Sequence, residues 1–165
     1  SRSGKSTLAT SLAGAGGLIS DDCLVMEAVG ERVLAHPSHR AVRLLGDSAQ
    51  ALFASPTAGE LSADGAKRRL DVQGASRTLP LARIYMLEPA AAAARVSPLG
   101  ARDAVARLAT HFFRIDPEDH SRLPGELDLL ERVAARTRIA RLEVPRRFDA
   151  LPETHAAIAA DLRDG

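Results

Sequence analysis

The chain has 165 residues, 45% of them apolar, and 22 Lys plus Arg nearly balance 21 Asp plus Glu for a formal charge of +1. A chain of this length can bury roughly two-thirds of its unfolded surface, so we expect one domain. The small charge and the few aromatic side chains (no Trp, one Tyr, four Phe) argue against nucleic acid as a partner, because such interfaces use excess positive charge and base stacking.

The sequence also argues against a membrane partner. Its longest apolar stretch, residues 90–94, is far shorter than the roughly 18 residues of a membrane span, and no basic-then-apolar leader precedes the first motif. The single cysteine, Cys23, excludes an internal disulfide and fits a reducing compartment. We therefore expect a cytoplasmic protein of open oligomeric state, with Cys23 as a buried strand residue among apolar neighbours.

The first half of the chain predicts two helices, a hairpin, two further strands and a loop. In chain order these are a helix after the opening motif that ends at Gly14, Gly16 and Gly17, a buried strand at 18–19, hairpin strands at 25–29 and 32–35, a strand at 42–45, a helix at 48–54 and a loop at 55–65.

The second half predicts alternating strands and helices. In chain order these are strands at 69–72 and 81–87, a helix capped by Ser97 with Pro98 at its first position, a helix with a stripe of Leu123, Leu127, Leu130 and Val133, a strand at 139–144 and a final helix from near Pro152. The whole pattern predicts an α/β fold with a mixed sheet flanked by helices.

The opening residues, Ser-Arg-Ser-Gly-Lys-Ser-Thr, match the end of the phosphate-loop pattern G-x-x-x-x-G-K-[ST]. In that pattern Gly4 lets the backbone approach the phosphates, Lys5 reaches the β- and γ-phosphates, and the Ser6 hydroxyl binds Mg²⁺. Ser3 and Thr7 belong to the same predicted nucleotide site, with Thr7 contacting phosphate or capping the helix. The motif predicts ATP and Mg²⁺ binding, and the alternative is a chance Gly-Lys-Ser.

The complete phosphate-loop pattern begins upstream of this chain. Its first glycine would stand two residues before Ser1, and a strand would precede that glycine. We therefore expect a domain that lacks its first strand and the first glycine of its phosphate loop, as a fragment would, and that binds ATP weakly in this form.

Two adjacent carboxylates, Asp21 and Asp22, follow the predicted strand at 18–19. A phosphotransferase needs an acidic group near its metal at about this point, and neighbouring strand residues face opposite sides. We expect Asp21 to face Mg²⁺ through water and Asp22 to act as the general base toward an acceptor hydroxyl. The alternative is a turn at the end of the strand, where Asp is common.

With these residues, the chain resembles the HPr kinase/phosphorylase family, bacterial serine kinases whose catalytic domain is related to phosphoenolpyruvate carboxykinase. The specific part is Ser-Gly-Lys-Ser-Thr-Leu-Ala at 3–9 and Leu-Ile-Ser-Asp-Asp at 18–22, and looser similarity follows at 67–70, 80–87, 142–145 and 151–152. The resemblance implies a P-loop nucleotide-binding fold, a loop that binds ATP or pyrophosphate, and an aspartate pair that supports metal binding and proton transfer.

The chain also departs from that family. Thr7 stands where the enzymes that act on HPr typically carry Glu, and no segment matches the Arg-Gly signature of the phosphorylase reaction. The resemblance thus implies a divergent member for which HPr is a doubtful substrate.

Two classes of function remain open at this point. The first is an ATP- and Mg²⁺-dependent phosphotransferase, namely a serine kinase for a protein or peptide, with a small-molecule kinase as its rival. Small-molecule kinases often carry Asp-x-Asp here, so the adjacent Asp21 and Asp22 favour the serine kinase. The second class is a non-catalytic ATP-binding sensor or partner-binding module.

Overall fold

A computed structural model of the chain describes residues 4–14, 17–38, 41–53, 60–61, 67–71, 74–90, 92–113 and 118–164. Within these ranges the elements in chain order are α1 (Lys5–Ala13), β1 (Val25–Val29), β2 (Arg32–His36), β3 (Ala41–Leu45), α2 (Gly46–Leu52), β4 (Glu60–Leu61), β5 (Lys67–Asp71), β6 (Leu79–Pro80), β7 (Arg83–Ala90), β8 (Arg95–Pro98), α3 (Ala101–His111), α4 (Leu123–Arg136), β9 (Arg138–Pro145) and α5 (Leu151–Arg163). The fold is mixed α/β, which confirms the predicted class at that level.

The predicted hairpin is confirmed. Strands β1 and β2 pair antiparallel with Val29 opposite Arg32, and β6 adds to β2 as a third strand. Gly30 has φ 54°, a left-handed conformation that glycine adopts without steric cost. The two-residue turn at Gly30 and Glu31 thus sets the register of β1 against β2.

A second sheet supports the middle and end of α1. Strand β5 lies between β3 and β4, with both neighbours antiparallel. Val42 and Leu44 of β3 are buried with Ala49 of α2 and Leu70 of β5, and Ala9 and Ala13 of α1 pack against this cluster. The contacts hold α1 and α2 together on one side of the sheet.

A third sheet has helices on both faces. Central β9 pairs parallel with β7 and antiparallel with β8. Because alternate residues of a strand face opposite sides, Met86 and Ile139 pack with α3 and α4, whereas Leu142 packs with Leu8 of α1 and Ile158 of α5. This sheet therefore joins α1 to the second half of the chain.

Several details differ from the sequence-based expectations. The described strands form three three-stranded sheets and not one mixed sheet, and the predicted strand at 18–19 is a single bridge between Leu18 and Gly74. Ser97 and Pro98 belong to β8, so the predicted cap was wrong, because pairing with β9 overrides the local capping signal. Cys23 is exposed and lies before β1, so its predicted burial was also wrong.

The predicted loop at 55–65 lies mostly outside the described residues, although Glu60–Leu61 forms β4. The other predicted elements coincide with observed ones to within a few residues at their ends. Among the helices of the described ranges, none is long and apolar enough to cross a bilayer.

Candidate functional site

The predicted phosphate loop leads directly into α1. Gly4 is the residue before the helix and has φ 80° and ψ 2°, and the Leu8 N–H donates to its carbonyl at 2.9 Å. Gly4 has no side chain to cap this helix end, and the first turn of α1 carries no acidic residue. Within the described residues, no carboxylate of that turn offsets the positive end of the helix dipole, which favours an anion there. Ser3 lies outside the described residues.

A cavity of about 670 Å³, here called the main cavity, opens at this helix end. Gly4, together with Thr7 and Leu8 of α1, lines one part of it, and the first residues of α2 line another. Its remaining wall comes from the carboxyl ends of the parallel strands β7 and β9 and the residues after β9. Crevices at the carboxyl ends of parallel strands are the usual ligand sites of α/β sheets.

Four charged residues line the main cavity, and none of them was predicted from the sequence. They are Asp47, Glu88, Arg146 and Arg147. Glu88 lies 2.5 Å from Arg107 and 3.4 Å from Arg141, and Arg147 lies 2.8 Å from Asp149. Arg146 is exposed and forms no ion pair within the described part of the chain, so its charge is available to a ligand.

A short hydrogen-bond chain connects α1 to α2 at the edge of the main cavity. The Thr7 hydroxyl donates to Ser48 Oγ at 3.0 Å, and the Ser48 N–H donates to Asp47 Oδ1 at 2.7 Å. Ser48 itself is buried. Thr7 therefore helps to fix the position of Asp47, in addition to lining the cavity.

The two predicted aspartates lie in a different place, a small cavity of about 130 Å³ that Arg43 and Arg69 also line. Asp21 Oδ2 accepts a hydrogen bond from the Arg43 N–H at 3.0 Å, while Asp21 Oδ1 is buried with no hydrogen-bond partner among the described residues. Asp22 lies 3.6 Å from the Arg43 guanidinium, and both side chains are well exposed, at 70% and 58%. Both carboxylates thus contact the same residue of β3.

The structure consequently brings some predicted residues together and not others. Gly4 and Thr7 line the main cavity, whereas Lys5, Ser6, Asp21 and Asp22 are not among its lining residues. Arg43 and Leu45 are two residues apart on β3, about 7 Å along the strand, and Leu45 lines the main cavity. The aspartate cavity and the main cavity are therefore neighbours along β3.

A search of the described ranges finds no group of three or more His, Cys, Asp or Glu side chains placed to hold a metal ion. Mg²⁺ at a nucleotide site needs only one or two protein ligands, since phosphate oxygens and water complete its shell. One or two oxygens of this chain would therefore suffice, but Asp21 Oδ1 is buried and is not accessible to an ion in this conformation.

Comparison of the chain with protein-family models, curated proteins and solved structures gives no significant match. The resemblance to HPr kinase/phosphorylase therefore depends only on the residues quoted for it.

Proposed function

We propose that this protein binds ATP with Mg²⁺ at the start of α1 and transfers the γ-phosphoryl group to a serine hydroxyl of a protein or peptide. The observation that supports this most is Gly4, which takes a left-handed conformation at an uncapped helix end facing a 670 Å³ cavity. A phosphate loop needs this arrangement, because backbone N–H groups and the helix dipole must both point at the anion. The same proposal includes a P-loop fold, a divergent relation to HPr kinase/phosphorylase and a cytoplasmic location.

The size and charge of the main cavity are compatible with a nucleotide. Small-molecule sites measure roughly 300–1,000 Å³, and the 670 Å³ cavity is within that range. Arg146 offers a positive charge and Asp47 lines the same space, while the Glu88 carboxylate is paired with Arg107 and Arg141. Because carboxylates and phosphates repel each other, a triphosphate in this cavity calls for a bridging cation.

We assign the residues as follows. Gly4, with Ser3 and Thr7, forms the cradle for the phosphates, Lys5 stabilises charge on the transferring group, and Ser6 binds Mg²⁺. Asp21 supports the cation through water. ATP supplies the phosphoryl group and Mg²⁺ neutralises its charge. Asp22 accepts the proton of the attacking hydroxyl as general base.

One observation favours the second candidate function, an ATP-binding sensor without catalysis. Asp22 is paired with Arg43, and neither aspartate lines the main cavity. A carboxylate that contacts a guanidinium and lies outside the main cavity is poorly placed to take a proton from an acceptor hydroxyl at that cavity. If the aspartates only tie the segment before β1 to β3, the chain would bind nucleotide and transfer nothing.

The binding step is tested by replacing Lys5. Lys5→Ala should lower ATP affinity at least tenfold in calorimetric titration, because one charge-assisted contact to phosphate contributes about 1.5–3 kcal/mol. The measurement uses the chain of residues 1–165. Lys67→Ala is the matched control, since Lys67 is the chain's other lysine and belongs to β5. Equal ATP affinity in both variants would contradict the proposed site.

The transfer step is tested separately. The chain is incubated with γ-labelled ATP, Mg²⁺ and a lysate of the source organism, and label on one discrete protein or peptide supports the kinase. Tight ATP binding without labelling of any acceptor supports the sensor. The Lys5→Ala variant serves as the background control.

A further inference from the structure

Two arginines, Arg146 and Arg147, directly follow β9 at the main cavity, and their surroundings differ. The Arg147 guanidinium lies 2.8 Å from Asp149 and 3.7 Å from Glu153, so two carboxylates already hold it. Arg146 is exposed and forms no ion pair with any residue that the structure describes. Of the two arginines, Arg146 is therefore the one that can contact a ligand without first losing a partner.

The two carboxylate residues of the main cavity do not neutralise Arg146 either. The Glu88 carboxylate is paired with Arg107 and Arg141, and Arg107 belongs to α3, which packs on the face of the sheet opposite to α1. Asp47 Oδ1 accepts a hydrogen bond from the backbone of α2. Within the described ranges, neither carboxylate lies at ion-pair distance from Arg146, which therefore keeps its positive charge at the wall of the cavity.

The position of Arg146 relative to the start of α1 follows from one packing contact. Leu8 of α1 and Leu142 of β9 are buried in the same cluster. Gly4 stands four residues before Leu8, about 6 Å along the helix axis, and Arg146 stands four residues after Leu142, up to about 13 Å along an extended chain. Both line the main cavity, so both displacements point to the same side of the Leu8 contact. Arg146 therefore lies up to roughly 7 Å farther out than the beginning of α1.

A phosphate loop holds the three phosphates of a nucleotide unequally. Its backbone N–H groups cradle the α- and β-phosphates, and the γ-phosphate extends toward the lysine. Of the parts of ATP outside the cradle, the nucleoside is uncharged and the γ-phosphate is an anion. A guanidinium presents several donors in a fork that fits phosphate oxygens, on a long and flexible stem. A free guanidinium beyond the cradle is therefore suited to the γ-phosphate.

We infer that Arg146 binds the γ-phosphate and makes the main cavity prefer a nucleoside triphosphate to a nucleoside diphosphate. The inference rests on the proposed function, because it needs a nucleotide at the start of α1. It adds the phosphate group that Arg146 contacts and the class of nucleotide that this contact selects. ADP, which lacks the γ-phosphate, is held less tightly and exchanges readily for ATP.

The test compares Arg146→Ala with the unmodified chain in calorimetric titrations. The ligands are Mg²⁺–ADP and the Mg²⁺ complex of the β,γ-imido analogue of ATP, which keeps three phosphates and does not act as a phosphoryl donor. Arg146→Ala should bind the analogue at least about tenfold more weakly, because a charge-assisted contact to phosphate is lost, and should bind ADP nearly as well as before. The preference for the analogue over ADP should therefore fall by the same factor.

Arg102→Ala is the matched control, since Arg102 is an exposed arginine of α3 that is not among the residues lining the main cavity. It removes the same charge and should leave the preference unchanged. The inference is overturned, while the nucleotide site stands, if Arg146→Ala keeps the preference, or if Arg102→Ala or Arg147→Ala lowers it as much. If the unmodified chain binds neither nucleotide, the proposed function fails and the inference fails with it.

Discussion

Two glycines at opposite ends of α1 face different conformational demands. Gly4 precedes the helix with φ 80°, whereas Gly14 follows it with φ −57°, a conformation open to any residue. A Cβ added at either position meets no atom within 4 Å, so crowding does not distinguish them. Backbone strain alone should decide how each tolerates a side chain.

Gly4→Ala should therefore lower the free energy of unfolding by about 1–2 kcal/mol, the cost of a left-handed conformation in a residue with a Cβ. Gly14→Ala is the matched control and should be neutral or stabilising by up to about 1 kcal/mol, because it restricts the unfolded chain. Urea denaturation measures both. Equal effects of the two substitutions would mean that Gly4 is not held in the left-handed region.

Substitution of Asp21 and Asp22 tests which of them serves the cation and which serves proton transfer. Asp22→Asn should leave ATP affinity nearly unchanged and slow single-turnover transfer roughly 10²- to 10⁴-fold, the usual contribution of a general base. Asp21→Asn should weaken nucleotide binding and raise the Mg²⁺ requirement, because a charge near the cation is lost. If both variants lose ATP affinity equally, both carboxylates serve the metal. If neither changes transfer, the pair is a turn and the general-base assignment fails.

At the scale of elements, a polar cluster of Arg83, Tyr85 and Asp161 connects α5 to β7. Arg83 Nε donates to Asp161 Oδ2 at 3.0 Å and the Tyr85 hydroxyl donates to the same oxygen at 2.7 Å. The Arg83 and Asp161 side chains are only 10% and 13% exposed. A charge this well buried must be compensated by partners, so the cluster also fixes where α5 lies.

Tyr85→Phe should lower the free energy of unfolding by about 1.5–3 kcal/mol, the range for a hydrogen bond to a charged group. Chemical denaturation measures the change, and a double-mutant cycle with Asp161→Asn isolates the pair. A coupling near zero between the two substitutions would show that the hydrogen bond does not hold α5.

The same cluster predicts how stability depends on pH. Burial, followed by the hydrogen bond and charge of Asp161, raises the pKa of Tyr85 from 10.0 to about 12. The contribution of Tyr85 to the free energy of unfolding is therefore complete below pH 10 and is lost as the pH rises to about 12. Burial alone would raise the pKa of Asp161, but hydrogen bonds from Tyr85 and Arg83 and nearby positive charge lower it below 3.8. The Asp161 contribution is therefore present above pH 3.8 and is lost as pH falls further. Denaturation of the unmodified chain and of Tyr85→Phe across both ranges should show smaller pH effects in the variant.

Local signals explain which elements the sequence predicted. The hairpin was predictable because the turn at Gly30 and the flanking apolar residues act over a few positions. The β8 strand was missed because Val96 pairs with Leu142, a partner 46 residues away that no local pattern reveals. In α4, Leu130 and Val133 are buried as expected, but Leu127 is 49% exposed, because tertiary packing selects a slightly different face.

The contrast between local signals and distant partners also applies to the residues of the main cavity. Gly4 and Thr7 were predicted because the phosphate-loop pattern is contiguous. Asp47, Glu88 and Arg146 come from three distant segments, and only the pairing of β7 with β9 and the packing of α2 bring them to one cavity. The contact of the Ser11 and His155 side chains joins residues 144 positions apart, so no local pattern predicted it.

At the scale of the whole molecule, α1 connects the two halves of the chain. Its Ala9 and Ala13 pack on the β3 and β5 sheet, and its Leu8 packs on β9 and α5. The main cavity opens at the N-terminal end of this shared helix, so both halves contribute to its wall. A ligand bound there would contact both halves of the chain.

The most direct measurement of the central claim is titration of Mg²⁺–ATP into the ¹⁵N-labelled chain and into its Lys5→Ala variant. We predict weak but saturable binding that Lys5→Ala weakens at least tenfold, with the largest amide shifts from Gly4 to Leu8 and from Leu45 to Ser48. Shifts centred elsewhere, or no saturable binding by the unmodified chain, would contradict a nucleotide site at the start of α1.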